Sequence, residues 1–335
     1  MSEDVHSIAD LARLAGVSKS TVSRALSDSP LISEETKARI HALAREHGFE
    51  IDVRARRLSL QRSGAVALVA YGYKTDSVVP DAFMLGIMTG VSAGLIRNDY
   101  DLLVIHVAPG DDTWPRRYLG AGRADGFIML QAWCSLRQLK ALVAARAPFV
   151  LWGVPSPDNA YCSVSGDSLT GGRLATEHLA SRGRRRIAFI GGPAREPEVQ
   201  DRLRGYELAL AAAGLDVDPE LIAYGDYSEA SGHEAMAELL DRAPDLDAVF
   251  AGSDVMAIAA IETLRARGRE IPADVSVVGY DDIPLAQHVD PPLTTVRQDA
   301  VLAGRLLADS LVQHLRTGAV TNVSIPAELV VRESG

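Results

Sequence analysis

The sequence predicts an N-terminal all-α helix-turn-helix head plus a basic, potentially helical arm, joined to an α/β two-lobed body of two doubly wound parallel sheets. Three observations predict it. Residues 8–49 carry three short helical patterns, the first two separated by a single glycine turn at Gly16. Val53–Arg62 follows with four arginines and no acid. From Ala65 onward, short apolar runs alternate with amphipathic helices, and this rhythm occurs twice.

In the head, Ser7 is placed to cap a first helix, with Asp10 in its first turn and Ile8, Leu11, Ala12 and Ala15 on one face. Gly16 permits the tight turn that ends it. Ser18 caps a second helix, Lys19 to Leu26. Val22, Ala25 and Leu26 point inward there, leaving Lys19, Ser20, Ser23 and Arg24 outside. Small polar and basic groups at the start of an exposed helix suit base edges in a major groove. Ser33 caps a third helix with Glu34 and Glu35 in its first turn, and Gly48 stops it.

Composition bounds the rest. The chain has 335 residues, 47% hydrophobic and 23% charged, as in soluble globular proteins. No apolar run approaches the ~20 residues of a membrane span, and the N-terminus lacks a signal peptide's apolar stretch. A cytoplasmic, nucleoid-associated location with no membrane partner is therefore expected. Cys134 and Cys162 have no disulfide or metal spacing. The net charge of −10 is unevenly spread: residues 1–62 hold ten Lys/Arg against nine Asp/Glu, so +1 lies there and −11 on the remainder. DNA affinity depends on where positive charge sits, and Val53–Arg62 concentrates it.

In the body, strands are expected at 66–71, 100–107, 125–130 and 149–153, with helices at 83–98, 116–121 and 135–145 between them. The second round has strands at 186–192, 221–226, 247–253 and 275–282. Its helices are at 168–182, 201–213, 228–242 and 254–267. The tail gives PPLTTVRQD (291–299), a helix to Arg316 and a final strand near 323–331, which suggests a chain crossing between lobes more than once. Ligands of such sheets bind outside the carboxyl ends of strands. No P-loop, nucleophile elbow or metal-spaced His/Cys cluster occurs. Gly171-Gly172 and Gly191-Gly192 lie outside any G-x-G-x-x-G frame.

The run Asp10–Leu26, DLARLAGVSKSTVSRAL, closely resembles the head of lactose repressor (LacI) family regulators. Ala55-Arg56-Arg57-Leu58 is similar to the end of that family's hinge helix. In the body, DRLRGY (201–206), GDYSEASG (225–232), AGSD (251–254), VVGYDD (277–282) and PPLTTVRQD (291–299) resemble the family's sensor, which is like a periplasmic sugar-binding protein. The chain departs at Ile51-Asp52, where the family often has Pro-Asn; Asp52 is still able to cap the hinge helix.

The resemblance implies DNA contacts from Ser18, Lys19, Ser20, Thr21, Ser23 and Arg24, and from Arg54, Ala55, Arg56 and Leu58. Lys19 and Ser20 would read bases, and Leu58 would wedge into the minor groove. It implies effector contacts from Arg202, Tyr227 and Asp281, with weaker candidates in Ser253, Asp254, Tyr73, Phe83 and Trp152. Of Ser253 and Asp254, one is expected to touch ligand and the other to cap the next helix. Boundaries are expected at 1–49 (head), 50–63 (hinge) and 64–335 (body). Within the body, one lobe takes about 64–163 plus 294–320 and the other about 164–293 plus 321–335.

The expected function is a homodimeric regulator, most often a repressor, on a pseudo-palindromic operator in double-stranded DNA. No cofactor or metal is expected; a mono- or oligosaccharide effector controls it. A purine or nucleoside effector is the alternative. A sugar-binding protein without DNA activity and a sugar-processing enzyme are disfavoured by the head and by the missing catalytic constellation. The tail carries no heptad run, so a dimer is expected and not a tetramer.

Overall fold

The computed structural model describes residues 7–26, 28–49, 63–71, 82–108, 110–130, 136–155, 158 and 160–335. Arg54, Ala55, Arg56, Leu58 and Tyr73 lie outside them. The chain divides into two units, Met1–Ser63 and Gly64–Gly335.

The first unit contains α1 (Ile8–Ala15), α2 (Lys19–Leu26) and α3 (Glu34–Glu46). Ser7 Oγ accepts from Asp10 N, and Gly16 closes α1 at φ 64°. Ser33 Oγ accepts from Thr36 N to start α3. Leu11, Val22, Ala25 and Ile40 are fully buried in one small core.

The second unit has two six-stranded sheets. The first lobe contains β1 (Ala65–Tyr71), α4 (Ala82–Ile96), β2 (Asp101–Val107), α5 (Trp114–Gly120), β3 (Gly126–Leu130), α6 (Leu136–Ala144), β4 (Phe149–Trp152) and β5 (Cys162–Gly166). The second contains α7 (Ser168–Ser181), β6 (Ile187–Gly191), α8 (Pro197–Ala212), β7 (Ile222–Tyr224), α9 (Glu229–Arg242), β8 (Ala248–Ala251), α10 (Asp254–Ala266), β9 (Ser276–Asp281) and β10 (Thr294–Arg297). The chain closes with α11 (Ala300–Thr317), β11 (Asn322–Ile325) and β12 (Glu328–Val330). Strand order is β11-β5-β4-β3-β1-β2 in one sheet and β12-β10-β9-β8-β6-β7 in the other. All pairs are parallel except β10–β12. Fully buried strands such as β3, β4, β6 and β8 read as continuous apolar runs because helices cover both faces.

The lobe assignment needs three corrections. β10 pairs with β9, so 294–297 belongs to the second lobe; only α11 of the expected 294–320 segment packs in the first-lobe core. β5 was not expected: Cys162-Ser-Val-Ser-Gly has one β-branched apolar residue, and its place between β4 and β11 makes it a strand. The first lobe thus runs past 163. The expected final strand is two strands. β11 joins the first sheet and β12 the second, and Pro326 between them lacks the N–H that a ladder needs. The chain crosses between lobes three times: after β5, after β10 and after β11.

α8 begins at Pro197, four residues before the expected start, with proline in its first turn. That extra turn brings Glu198 onto the helix. α8 lies close against α7: a Cβ on Gly172 would meet Arg202 O at 2.2 Å, and one on Gly205 would meet Leu169 O at 2.2 Å. Gly171 faces the Tyr280 ring. The Gly171-Gly172 pair is therefore a helix-packing surface and not a phosphate loop.

Candidate functional site

On the head, α2 presents its expected surface. Ser18, Lys19, Ser20, Ser23 and Arg24 are exposed and Thr21 is half-buried. Ser18 Oγ accepts from Thr21 N at 3.1 Å and also meets the hydroxyls of Ser20 (2.7 Å) and Thr21 (2.8 Å). Ser18 thus fixes the start of the helix and orients two neighbouring hydroxyls. Lys19 and Arg24 project from either end of the same short helix.

In the body, a cluster of charged, amide and tyrosine side chains gathers at the carboxyl ends of the second sheet's strands. Arg202, on α8, is buried. Its Nη1 donates to the Gly252 carbonyl beyond β8 at 2.6 Å, and its guanidinium lies 3.9 Å over the Tyr280 ring. Its Nε has no hydrogen-bond partner. Burial works against the charge, but Tyr280, Tyr227, Asp281 and Glu198 around it outweigh burial and raise its pKa.

Tyr227, just beyond β7, donates its hydroxyl to Glu196 Oε2 at 3.3 Å. Its ring covers Gly192, where a Cβ would fall 2.1 Å from the ring. Gly191-Gly192 is thus a strand-end turn left bare for Tyr227. Asp281 ends β9 and accepts from Gln298 Nε2 at 2.8 Å. Tyr227 (φ 69°), Asp281 (φ 113°) and Asp282 (φ 57°) all adopt left-handed backbone without being glycine. Such strain persists where surrounding structure imposes it, often at ligand sites.

Sequence reasoning missed Glu196, Glu198, Tyr280 and Gln298. The available signal was spacing: Glu198 stands four residues before Arg202, one helical turn away on the same face. Glu198 Oε1 is buried without a partner. Burial pushes the Glu198 carboxyl up to about 7 against the opposing pull of Arg202, with Glu196 and Asp201 adding to the rise. Burial also raises Glu196, opposed by the Tyr227 hydroxyl and Arg202.

Asp254 departs from expectation. It is fully buried, with Oδ1 accepting from Thr295 Oγ1 at 2.5 Å and Oδ2 from Ile283 N at 2.8 Å. Both oxygens are committed to joining β10 and the chain after β9 to α10, so Asp254 is a structural clasp and not an effector contact. Ser253 is the α10 cap, its Oγ accepting from Met256 N, so of the two it is the one that caps the next helix.

Phe83 and Trp152 meet at 5.9 Å between ring centroids. Phe83 packs against the cores of both lobes. Trp152 lines one small pocket with Tyr280, Arg297 and Gln298, which places it opposite the second-lobe wall. Asp282 pairs with Arg297 Nε at 2.7 Å and Arg332 Nη2 at 2.5 Å. The fold also gathers Glu229, His233 and Glu262 on α9 and α10, where His233 Nδ1 meets Thr263 Oγ1 at 2.9 Å. Among the described residues, no helix is long and apolar enough to cross a membrane.

Comparison with known proteins matches the head and part of the body to two families. Residues 7–51 match bacterial regulatory proteins of the lacI family, and 176–335 match the periplasmic binding protein-like domain. Over 331 residues the sequence is 39% identical to the HTH-type transcriptional regulator CelR of Thermobifida fusca, covering 97% of each chain. A solved structure of a transcriptional regulator CelR–cellobiose complex superposes with TM-score 0.76 at 36% identity, covering 99% of this chain and 100% of that one. The lac repressor dimer bound to operator and the anti-inducer ONPF superposes with TM-score 0.78 at 26% identity, covering 98% of each.

Proposed function

This chain belongs to the lacI family of bacterial regulatory proteins, and from that premise we propose that it represses carbohydrate-utilisation genes under the control of a small sugar. It is a DNA-binding transcriptional regulator and not an enzyme. Two copies would place their α2 helices in successive major grooves of a pseudo-palindromic operator. Lys19 and Ser20 would meet base edges, Arg24 a base or phosphate, and Thr21 and Ser23 phosphates, with Ser18 holding the start of the helix. Arg54, Ala55, Arg56 and Leu58 would act at the operator centre, Leu58 as the wedge.

The effector would lie between Arg202, Tyr227 and Asp281 on one lobe and Phe83, Trp152 and Tyr73 on the other. The observation that carries this reading is the second-lobe wall itself: a guanidinium, carboxylates and tyrosines converge at strand ends, with three buried polar atoms, Arg202 Nε, Glu198 Oε1 and the Tyr280 hydroxyl, unpaired. Fixed donors and acceptors beside aromatic faces match the hydroxyls and C–H surface of a sugar. The likeness to CelR makes cellobiose the first sugar to try. Effector binding would alter the lobe arrangement and, through residues 50–63, the register of two heads. This is a coupling free energy between two sites through one two-state element.

A gel shift on DNA upstream of its own operon, with and without cellobiose and other neutral sugars, tests the reading. A sequence-specific shift relieved or strengthened by one sugar is expected. A shift indifferent to sugars but altered by purines or nucleosides transfers the effector to that class. No specific shift on operator DNA refutes the proposed operator binding.

A further inference from the structure

Beside the Tyr280 ring the second-lobe wall carries one cation and three carboxylates; Arg297, at the edge of the same wall, is already paired with Asp282 and Glu328. Arg202 is the cation; Glu196, Glu198 and Asp281 all lie close enough to act on it or on its neighbour Tyr227. The guanidinium is already engaged, by the Gly252 carbonyl through Nη1 and by the Tyr280 ring across its face. What it leaves open is Nε, a donor. One turn back on α8, Glu198 leaves open Oε1, an acceptor, on a side chain whose residue is only 9% exposed. An unpaired donor and an unpaired acceptor, both buried, are what a hydroxyl satisfies, since it accepts and donates at once.

We propose, on the reading of this wall as the effector site, that Glu198, seconded by Glu196, is a specificity-determining residue: it cancels the field of Arg202 so that the site takes uncharged polyhydroxyl effectors and rejects phosphorylated or carboxylated sugars. A lone buried arginine would attract anions, because its fork matches phosphate and carboxylate. With three carboxylates around it, an added anion meets net like charge in a poorly screened setting, and like-charge juxtaposition is costly there. A neutral hydroxyl meets no such barrier. It donates to Glu198 Oε1 and accepts from Arg202 Nε. Discrimination then comes from repulsion of the wrong ligand as much as from attraction of the right one.

The same contact makes affinity pH-dependent. The groups acting on Glu198 are Arg202 and Asp201 of α8, Glu196 just before that helix, and Tyr227 from beyond β7. A hydroxyl that donates to Glu198 favours its charged form. Affinity is therefore highest above pH 7 and falls as pH drops through about 7, where the free protein's Glu198 takes up its proton.

Calorimetry on the full chain at pH 8 and pH 6 tests this with cellobiose and ribose against glucose 6-phosphate and ribose 5-phosphate. A neutral sugar should bind, and the phosphates should bind on the order of 100-fold more weakly than it or not at all. Glu198→Gln, which keeps the shape, should lose on the order of tenfold in neutral-sugar affinity. It should also flatten the pH dependence and narrow the gap to the phosphates. Glu196→Gln should narrow that gap without flattening the profile to the same degree. A phosphorylated sugar binding more tightly than its neutral parent overturns the inference while the sugar reading stands. Glu198→Gln matching the wild type for both ligand classes and at both pH values overturns it as well. If neither class of sugar binds, the sugar reading fails and this inference falls with it.

Discussion

Replacing Arg202 with methionine removes a buried guanidinium while leaving an unbranched apolar chain to lie against Tyr280. The hydrogen bond to the Gly252 carbonyl at 2.6 Å is lost, and a bond to a charged donor contributes about 1.5–3 kcal/mol. The stacking at 3.9 Å over Tyr280 is lost too, about 2 kcal/mol when desolvated. Relief of the guanidinium's own burial offsets part of that, so a net loss of roughly 3 kcal/mol is expected at low pH.

Glu198 then adds a pH-dependent part. Its folded pKa is raised from the usual 4.5 to about 7 and Arg202 opposes the rise. A raised carboxylate costs nothing while protonated in both states and weakens the fold as pH climbs through its folded pKa. Without Arg202 that pKa climbs further. The variant's deficit at pH 8 should therefore exceed its deficit at pH 5.5 by about 1–2 kcal/mol. For a body of this size each kcal/mol is worth about 2–4 °C in Tm. Thermal unfolding should show a drop of roughly 6–12 °C at pH 5.5 and several degrees more at pH 8. Arg202→Met/Glu198→Gln should lose most of the pH-dependent part. An equal drop at both pH values, or a double variant as pH-sensitive as the single one, would refute the electrostatic reasoning. At temperatures where the variant is folded, operator binding should persist and the response to sugar should vanish.

Four further outcomes are expected. Glu198→Gln alone should stabilise the ligand-free protein at pH 8 by up to roughly 3 kcal/mol, the linkage equivalent of a carboxyl moved from 4.5 to about 7, and should change little near pH 4; urea midpoints at the two pH values decide this. Asp254→Asn places an amide N–H₂ against the Thr295 hydroxyl or the Ile283 N–H and should cost about 1–3 kcal/mol while sugar affinity of the folded protein stays within about twofold; a large affinity loss in calorimetry would return Asp254 to the ligand site. Gly205→Ala forces a Cβ to within 2.2 Å of Leu169 O, so α8 must shift away from α7; gel shifts should show a blunted sugar response, and circular dichroism a lowered Tm. Leu58→Ala should weaken specific operator binding far more than binding to random DNA, and equal losses in the two titrations would count against the wedge.

The sequence was most informative where structure is local. Ser7, Gly16, Ser18 and Ser33 carry capping and turn chemistry that acts within four residues, and the three head helices begin where these residues place them. Arg202, Tyr227 and Asp281 were legible through their motifs, and the structure gathers all three at one sheet edge. Glu198 was overlooked because α8 was expected to start at Asp201, beyond Pro197. Asp254 was misjudged because a carboxylate after a strand looks the same in sequence whether it faces solvent or a threonine 41 positions away. The Gly171-Gly172 pair was placed in a helix, but nothing within the segment reveals that α8 and Tyr280 press on it.

Taken by itself, the sequence determined the helices, the alternation of strands and helices, the placement of positive charge in Val53–Arg62 and the family of regulators to which the chain belongs. Those depend on periodicity, capping and composition, which are properties of neighbours in the chain. Tertiary structure decided which strands share a sheet, why β10 leaves the lobe assigned to it, why the last strand divides at Pro326, and which carboxylates surround Arg202. Those depend on contacts between residues tens of positions apart, and a buried charge acquires its pKa and its purpose only from such contacts.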